Sequence, residues 1–218
     1  FLTAFLPVSV VLYQMVKSEK ARNILLVILS WLFYAWAGIQ GLVLLLIETC
    51  WIWFAARAMN DEEQSRRKAL FWTATGFILV ILVLYKYLDP LLQACGLQAL
   101  ELPFPLGISF YTFSALSYLA DVYSRRCKAQ DSFLKLALYL AFFPKVAQGP
   151  IVQYHQLEQE LSDRTVTFQD RGTGTLKFAK GLAKKVILAD GLEKVFFALQ
   201  GNTTLTGTWL LSLAYTFQ

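Results

Sequence analysis

Apolar residues run through this chain in long blocks, and charged residues are confined largely to the gaps between them. Residues 2–16 are apolar apart from Thr3, Ser9 and Gln14. Residues 24–37 and 42–56 form a pair split by Gly38, Gln40 and Gly41. Residues 69–88 make a full span alone, at the roughly 20 residues a helix needs to cross hydrocarbon. Residues 106–123 give a fifth crossing, whereas 133–143 are too short to cross and 209–218 stop short at the chain end. The pattern predicts an all-α polytopic membrane protein, a multi-helix bundle with re-entrant and interfacial helices.

Composition supports that class: 56% of residues are hydrophobic, against roughly 45–50% in soluble domains. The first block has no basic region before it and no small-residue cleavage site before Lys17, so it does not read as a signal peptide. The chain starts at Phe1 and ends within an apolar run, Ala214 to Gln218, which reads as a piece of a longer protein.

Charge sets the expected orientation. Lys17, Lys20 and Arg22 follow the first span; Arg57, Arg66, Arg67 and Lys68 follow the third; Arg125, Arg126, Lys128 and Lys135 follow the fifth. The alternate loops, 38–41 and 89–101, hold no Lys or Arg. Cytoplasmic loops carry the positive excess, so the N-terminus is expected on the periplasmic side. The net charge of +5 is this loop bias, and it gives no reason to invoke nucleic acid. Cys50, Cys95 and Cys127 fall in three different compartments under this topology, and their spacing fits no metal site.

Two stretches are apolar yet broken. Residues 103–123 open with Pro103, Pro105 and Gly107 and carry Asp121 near the end. Residues 142–151 are interrupted by Pro144, Lys145, Gly149 and Pro150. Broken backbone survives at membrane depth only where it is buried in protein or lines a cavity. A half-helix ending at Pro144, followed by Gly149-Pro150, suits a re-entrant turn with Lys145 and Gln148 facing a polar cavity; the plainer reading is a helix break at the interface with Lys145 among headgroups.

Other polar residues have ordinary and functional readings. Glu48 is a carboxylate inside a span, costly unless used; its ordinary reading is a bond to a neighbouring helix through Trp51 or Tyr34. Lys86 sits beside Tyr85 and Tyr87 near a span end, where it can snorkel. Asp121 can pair with Arg125 four residues on, or stand as a fixed charge at the cytoplasmic mouth of a cavity. Ser109, Tyr111, Thr112, Ser114, Ser117 and Tyr118 favour close helix packing. His155, the one histidine, has the right acidity for a base, but its setting before a charged stretch reads as interfacial. Residues 176–188 place Lys177, Lys180, Lys184 and Lys185 on one helical face and Phe178, Leu182 and Val186 on the other, a basic helix lying on the cytoplasmic surface. Residues 186–199 are read as a possible outward continuation, and Asn202-Thr203-Thr204 matches a glycosylation sequon.

The order of these pieces resembles the membrane-bound O-acyltransferase family, in its bacterial branch that includes alginate O-acetylation and D-alanine transfer. The matching stretches are KARNILLVILSWLFYAW at 20–36, LPFPLGISFYTFSALSYLADVY at 102–123, FFPKVAQGPIVQY at 142–154 and KGLAKKVILAD at 180–190. The last two favour the alginate type.

The resemblance implies residues 1–218 as the N-terminal portion of a single transmembrane domain in the bacterial inner membrane. A cytoplasmic funnel would admit an acyl donor, acetyl-coenzyme A or an acyl carrier, with Asp121, Lys145 and Gln148 as lining residues. Acetyl would pass to periplasmic transfer proteins and on to a polysaccharide. The family's catalytic histidine lies beyond Gln218, so no residue here takes that role, His155 included, and the piece alone is expected to be catalytically silent. The alternatives are D-alanine transfer to cell-wall polymers and a non-enzymatic transporter or scaffold, which broken helices would also suit.

Overall fold

A computed structural model describes residues 1–60, 63–147, 149–150, 152–162, 164, 166–201 and 204–217. Among the described residues every regular element is a helix. The chain divides into two compact units, Phe1–Arg164 and Thr165–Gln218.

In the first unit the apolar blocks become α1 (Phe5–Met15), α2 (Glu19–Ala37), α3 (Ile39–Met59), α4 (Gln64–Ala94) and α5 (Ile108–Tyr123). The start of α2 is set by charge: Glu19 lies in the first turn, where the helix dipole favours an anion, and accepts a 2.7 Å bond from Arg22. The helix stops at Gly38, whose N–H reaches back to the Tyr34 carbonyl at 3.1 Å. The next helix starts at Ile39, so α2 and α3 turn on one residue. Farther along, α3 and α4 pack through Ile52, Ala56 and Met59 against Ala74 and Ile78, all fully buried.

The outer surface of this unit is apolar. Trp36 is 95% exposed, and Ile39, Val43, Ile47, Phe54, Trp72 and Val80 also face outward. Ser30, Glu48, Thr49, Thr112 and Asp121 lie buried inside. That inversion suits hydrocarbon as the surrounding medium, because an exposed apolar surface of this size would not stay apart in water. Both α3 and α4 are long and apolar enough to cross a bilayer. The protein is an all-α membrane protein.

Sequence and structure differ in two places here. Helix α4 runs through Pro90 to Ala94, taking in part of the stretch expected as loop. The chain then folds back because Asp89 accepts bonds from the N–H groups of Leu100 at 2.9 Å and Leu102 at 3.3 Å. The second difference is the break after α6 (Phe133–Ala141), which falls at Phe142 rather than Pro144. Pro144 belongs to the first turn of the four-residue helix α7 (Phe143–Val146), where a missing N–H costs nothing. Helix α8 (Tyr154–Ser162) closes the unit.

The second unit holds α9 (Phe168–Ala183), a π-helical stretch Lys184–Ala189, α10 (Asp190–Leu199) and α11 (Leu205–Phe217). A capping box starts α9: the Asp170 N–H donates to Thr167 Oγ1 at 3.2 Å, and the Thr167 N–H donates to Asp170 Oδ2 at 2.9 Å. The expected basic helix over 176–188 is helical throughout but changes gait at Lys184, so one 3.6-residue wheel does not describe it. Helices α10 and α11 pack as a hairpin, with the rings of Phe196 and Tyr215 5.6 Å apart. Asn202 and Thr203 of the sequon lie outside the described residues.

Candidate functional site

The two broken stretches meet in the first unit. Gly107 opens α5 in the left-handed conformation, at φ +65, and a β-carbon there would lie 1.9 Å from the Val146 carbonyl oxygen. Only glycine allows both the dihedral and the approach. Pro105 lies on Gly41, whose added β-carbon would come within 3.4 Å of the proline ring. The Tyr34 hydroxyl donates to the Leu106 carbonyl. On the other side, the Phe143 N–H donates to Ser30 Oγ at 3.2 Å. Helix α2 thus holds both breaks against each other.

Lys145 points its ammonium at an aromatic face. Its Nζ lies 3.8 Å from the centre of the Tyr139 ring and has no hydrogen-bond partner among the described residues. A cation over a tyrosine face is attracted by the ring quadrupole. Gln148, expected beside it, lies outside the described residues.

Beyond Lys145, three buried tyrosines form a column. Tyr154 meets Tyr118 and Tyr139 edge-on, with centroids 4.8 and 5.1 Å away. Gln130 ties the column together: its N–H donates to Tyr118 Oη at 2.8 Å, and its Nε2 donates to Tyr154 Oη at 2.6 Å. Tyr139 Oη sits 2.8 Å from the Val152 carbonyl. The sequence reading missed Tyr139, Tyr154 and Gln130, because only the fold brings α5, α6 and α8 together.

At the end of α5, Asp121 is 3% exposed. His155 Nδ1 is 3.1 Å from its Oδ2, and Arg126 is 3.7 Å from its Oδ1. The expected Asp121–Arg125 pair does not form. Arg125 takes a φ of +58, so the helix has ended and the i to i+4 relation no longer applies. His155 is exposed, with its side chain 35% accessible, and is paired with Asp121. The contact joins α8 to the end of α5 through one ring nitrogen of His155. The neighbouring Cys127 thiol is pushed up to about 12 by burial and by Asp121 and Glu158, which keeps it protonated.

Glu48 is fully buried in α3, and neither carboxyl oxygen has a hydrogen-bond partner among the described residues. The expected bond to Trp51 or Tyr34 does not form, because the Tyr34 hydroxyl is committed to Leu106 and Trp51 is 40% exposed on the outer face. Lys86 lies over the Tyr87 ring at 5.4 Å. No group of three or more His, Cys, Asp or Glu among the described residues is placed to hold a metal ion.

The chain is 35% identical, over its whole length, to a probable alginate O-acetylase of Pseudomonas syringae pv. tomato, and covers 45% of that protein. It is 34% identical to the probable alginate O-acetylase of Pseudomonas aeruginosa, covering 44% of it. A peptidoglycan O-acetyltransferase of Helicobacter pylori is 29% identical, again over the whole chain and 49% of the relative. The chain thus spans under half the length of these curated relatives. No family model and no solved structure matches it. The fold is that of an all-α membrane protein, and the chain is similar along its whole length to part of proteins named as alginate O-acetylases and a peptidoglycan O-acetyltransferase.

Proposed function

We propose that this chain is part of an enzyme that carries an acetyl group across the bacterial inner membrane to hydroxyls of an exported polysaccharide such as alginate. The observation that carries this reading is the 35% identity, spread over the entire chain, with a probable alginate O-acetylase. The joined breaks at Gly107 and Val146 support it, since irregular backbone at membrane depth belongs beside a cavity.

The donor is a thioester, acetyl-coenzyme A or an acetylated carrier, entering from the cytoplasm. The acceptor hydroxyl replaces the thiol on the acetyl carbonyl, the hydroxyl's proton leaves, and the thiol regains one. Lys145 and Asp121 line the entry. The chain crosses several times with its N-terminus in the periplasm, a reading supported by the alternating basic loops. Periplasmic transfer proteins pass the acetyl group on. Peptidoglycan as the acceptor is the second reading, favoured by the Helicobacter pylori relative.

The test uses the full-length protein in membranes with its periplasmic partners and radiolabelled acetyl donor supplied on the cytoplasmic side. Ester-linked label on alginate, removed by mild base, is expected. Label on peptidoglycan alone would favour the second reading, and no ester above that of membranes lacking the protein would overturn both.

A further inference from the structure

Lys145 is held at both ends of its side chain, yet its ammonium makes no bond. Gly149 closes over the base: its N–H donates to the Lys145 carbonyl at 2.8 Å. A β-carbon on Gly149 would lie 2.3 Å from the Lys145 Cα and 2.5 Å from its Cβ. At the tip, Nζ rests 3.8 Å from the centre of the Tyr139 ring. That Nζ has neither a hydrogen bond nor an ion pair among the described residues. The buried acids do not serve it. Asp121 is committed to His155 and Arg126, and Glu48 has no partner on either oxygen.

The Tyr139 ring is itself fixed. It is 1% exposed. Its hydroxyl donates to the Val152 carbonyl at 2.8 Å, with the Ser114 carbonyl 3.3 Å away. Tyr154 meets it edge-on at a centroid distance of 5.1 Å. One ring thus touches α5, α8 and the chain after the second break, and gives its face to Lys145. Packing alone does not account for this arrangement. A pinned lysine gives up rotamer freedom, and an ammonium out of water without an anion is costly. A methionine would fill much the same space without either cost. An aromatic face attracts a cation without supplying an acceptor atom, so the ammonium keeps N–H donors to give. Ionisable groups at membrane depth are kept for use.

We infer that Tyr139 is a positioning residue: its ring face holds the Lys145 ammonium ready for an oxygen of the acyl donor. The use by a donor rests on the acyl-transfer reading above; the hold of the ring on the ammonium does not.

The experiment replaces Tyr139 of the full-length protein with Phe and, by nonsense suppression, with pentafluorophenylalanine. Phe keeps the ring face and loses the hydroxyl; fluorination keeps the shape and removes the negative face that attracts a cation. Each ring is paired with Lys145 and with K145M. The unfolding midpoint in detergent and kcat/KM for acetyl transfer in the assay above are measured. Relative to Y139F, fluorination is expected to lower the midpoint beside Lys145 and to leave it level beside K145M. It is expected to lower kcat/KM about tenfold beside Lys145, and not at all beside K145M. If loss of the hydroxyl unfolds the protein, tetrafluorotyrosine against tyrosine makes the same comparison with the oxygen kept. Equal midpoints for the two rings beside Lys145 overturn the inference. Coupled midpoints with equal rates in an active enzyme make the contact structural and overturn the positioning role. Absence of acetyl transfer in the parent fails the reading above, while the midpoints still decide the contact, so the two fail separately.

Discussion

Gly107 and the carbonyl of Val146 are in direct contact: a β-carbon on the glycine would lie 1.9 Å from that oxygen, with the backbone at φ +65. Gly96 shares the left-handed conformation, at φ +73, but has nothing within 4 Å. The pair separates strain from collision. Gly96→Ala should cost about 1–2 kcal/mol, the penalty of a left-handed residue. Gly107→Ala should cost more than about 3 kcal/mol, since α5 or α7 must also move. Thermal unfolding of the two variants in detergent measures the difference, and equal midpoints would contradict the close approach.

Asp121→Asn keeps the shape of the side chain and removes its charge. Both partners are partly exposed, with Arg126 at 65% and His155 at 35%, so solvent screens the loss. About 1–2 kcal/mol of stability should disappear. His155→Ala should cost less, because Arg126 still covers the carboxylate. A D121N variant as stable as the parent would rule out the pairing.

Cys95 and Cys127 should differ in reactivity. Cys95 is exposed, whereas the Cys127 thiol is pushed up to about 12, and the thiolate is the reactive form. At about pH 8, near the ordinary thiol value, a membrane-impermeant maleimide should label Cys95 from the periplasmic side, and a membrane-permeant one should label Cys95 and leave Cys127 unmodified. Labelling of Cys95 only from the cytoplasmic side would reverse the proposed orientation.

Lys145 is an ammonium without a hydrogen-bond partner among the described residues. Replacing it with Met removes a charge at little packing cost, so the midpoint of unfolding should stay level or rise. If Lys145 lines the donor path, acetyl transfer should nevertheless fall by about tenfold, near 1.4 kcal/mol of lost interaction. A stable K145M enzyme with parental rates would remove Lys145 from the path.

The start of α9 should fray in acid. Bonds from the Thr167 side chain and backbone hold the Asp170 carboxyl below its usual value. Its folded value is depressed, so its contribution is present above the unfolded carboxylate value and is lost as pH falls through the folded one. Amide exchange in the first turn of α9, corrected for intrinsic rates, should accelerate over that interval. Thr167→Ala should speed exchange at neutral pH, through a lost cap of about 1 kcal/mol, and flatten the pH response.

Much of this was legible in the sequence, because a bilayer demands long apolar runs. The helices α2 to α5 grow from blocks that stand out without any structure, although α4 extends past its block through Pro90. Asp121 was legible as a residue but not in its partner. The i to i+4 rule assumes that the helix continues, and the left-handed turn at Arg125 ends it. The contact to His155 joins α5 to α8 across a loop, a half-helix and a turn, and no local pattern encodes it. Glu48 shows the opposite failure. A bond was expected because an unpaired buried carboxylate is costly, yet the Tyr34 hydroxyl is committed to Leu106 and Trp51 lies on the outer face.

The ring of Phe143 packs edge-on against Phe5, with centroids 5.3 Å apart, and also meets Phe1 and Phe33. This knot ties the first helix to a turn made near the end of the unit. At ribosomal speed the partner arrives on the order of ten seconds after Phe5 does. During synthesis, then, α1 and α2 are in place before the last ring of their shared cluster is made. Phe33 already holds Phe1 and Phe5, so α1 and α2 can pair early, and Phe143 closes the cluster last.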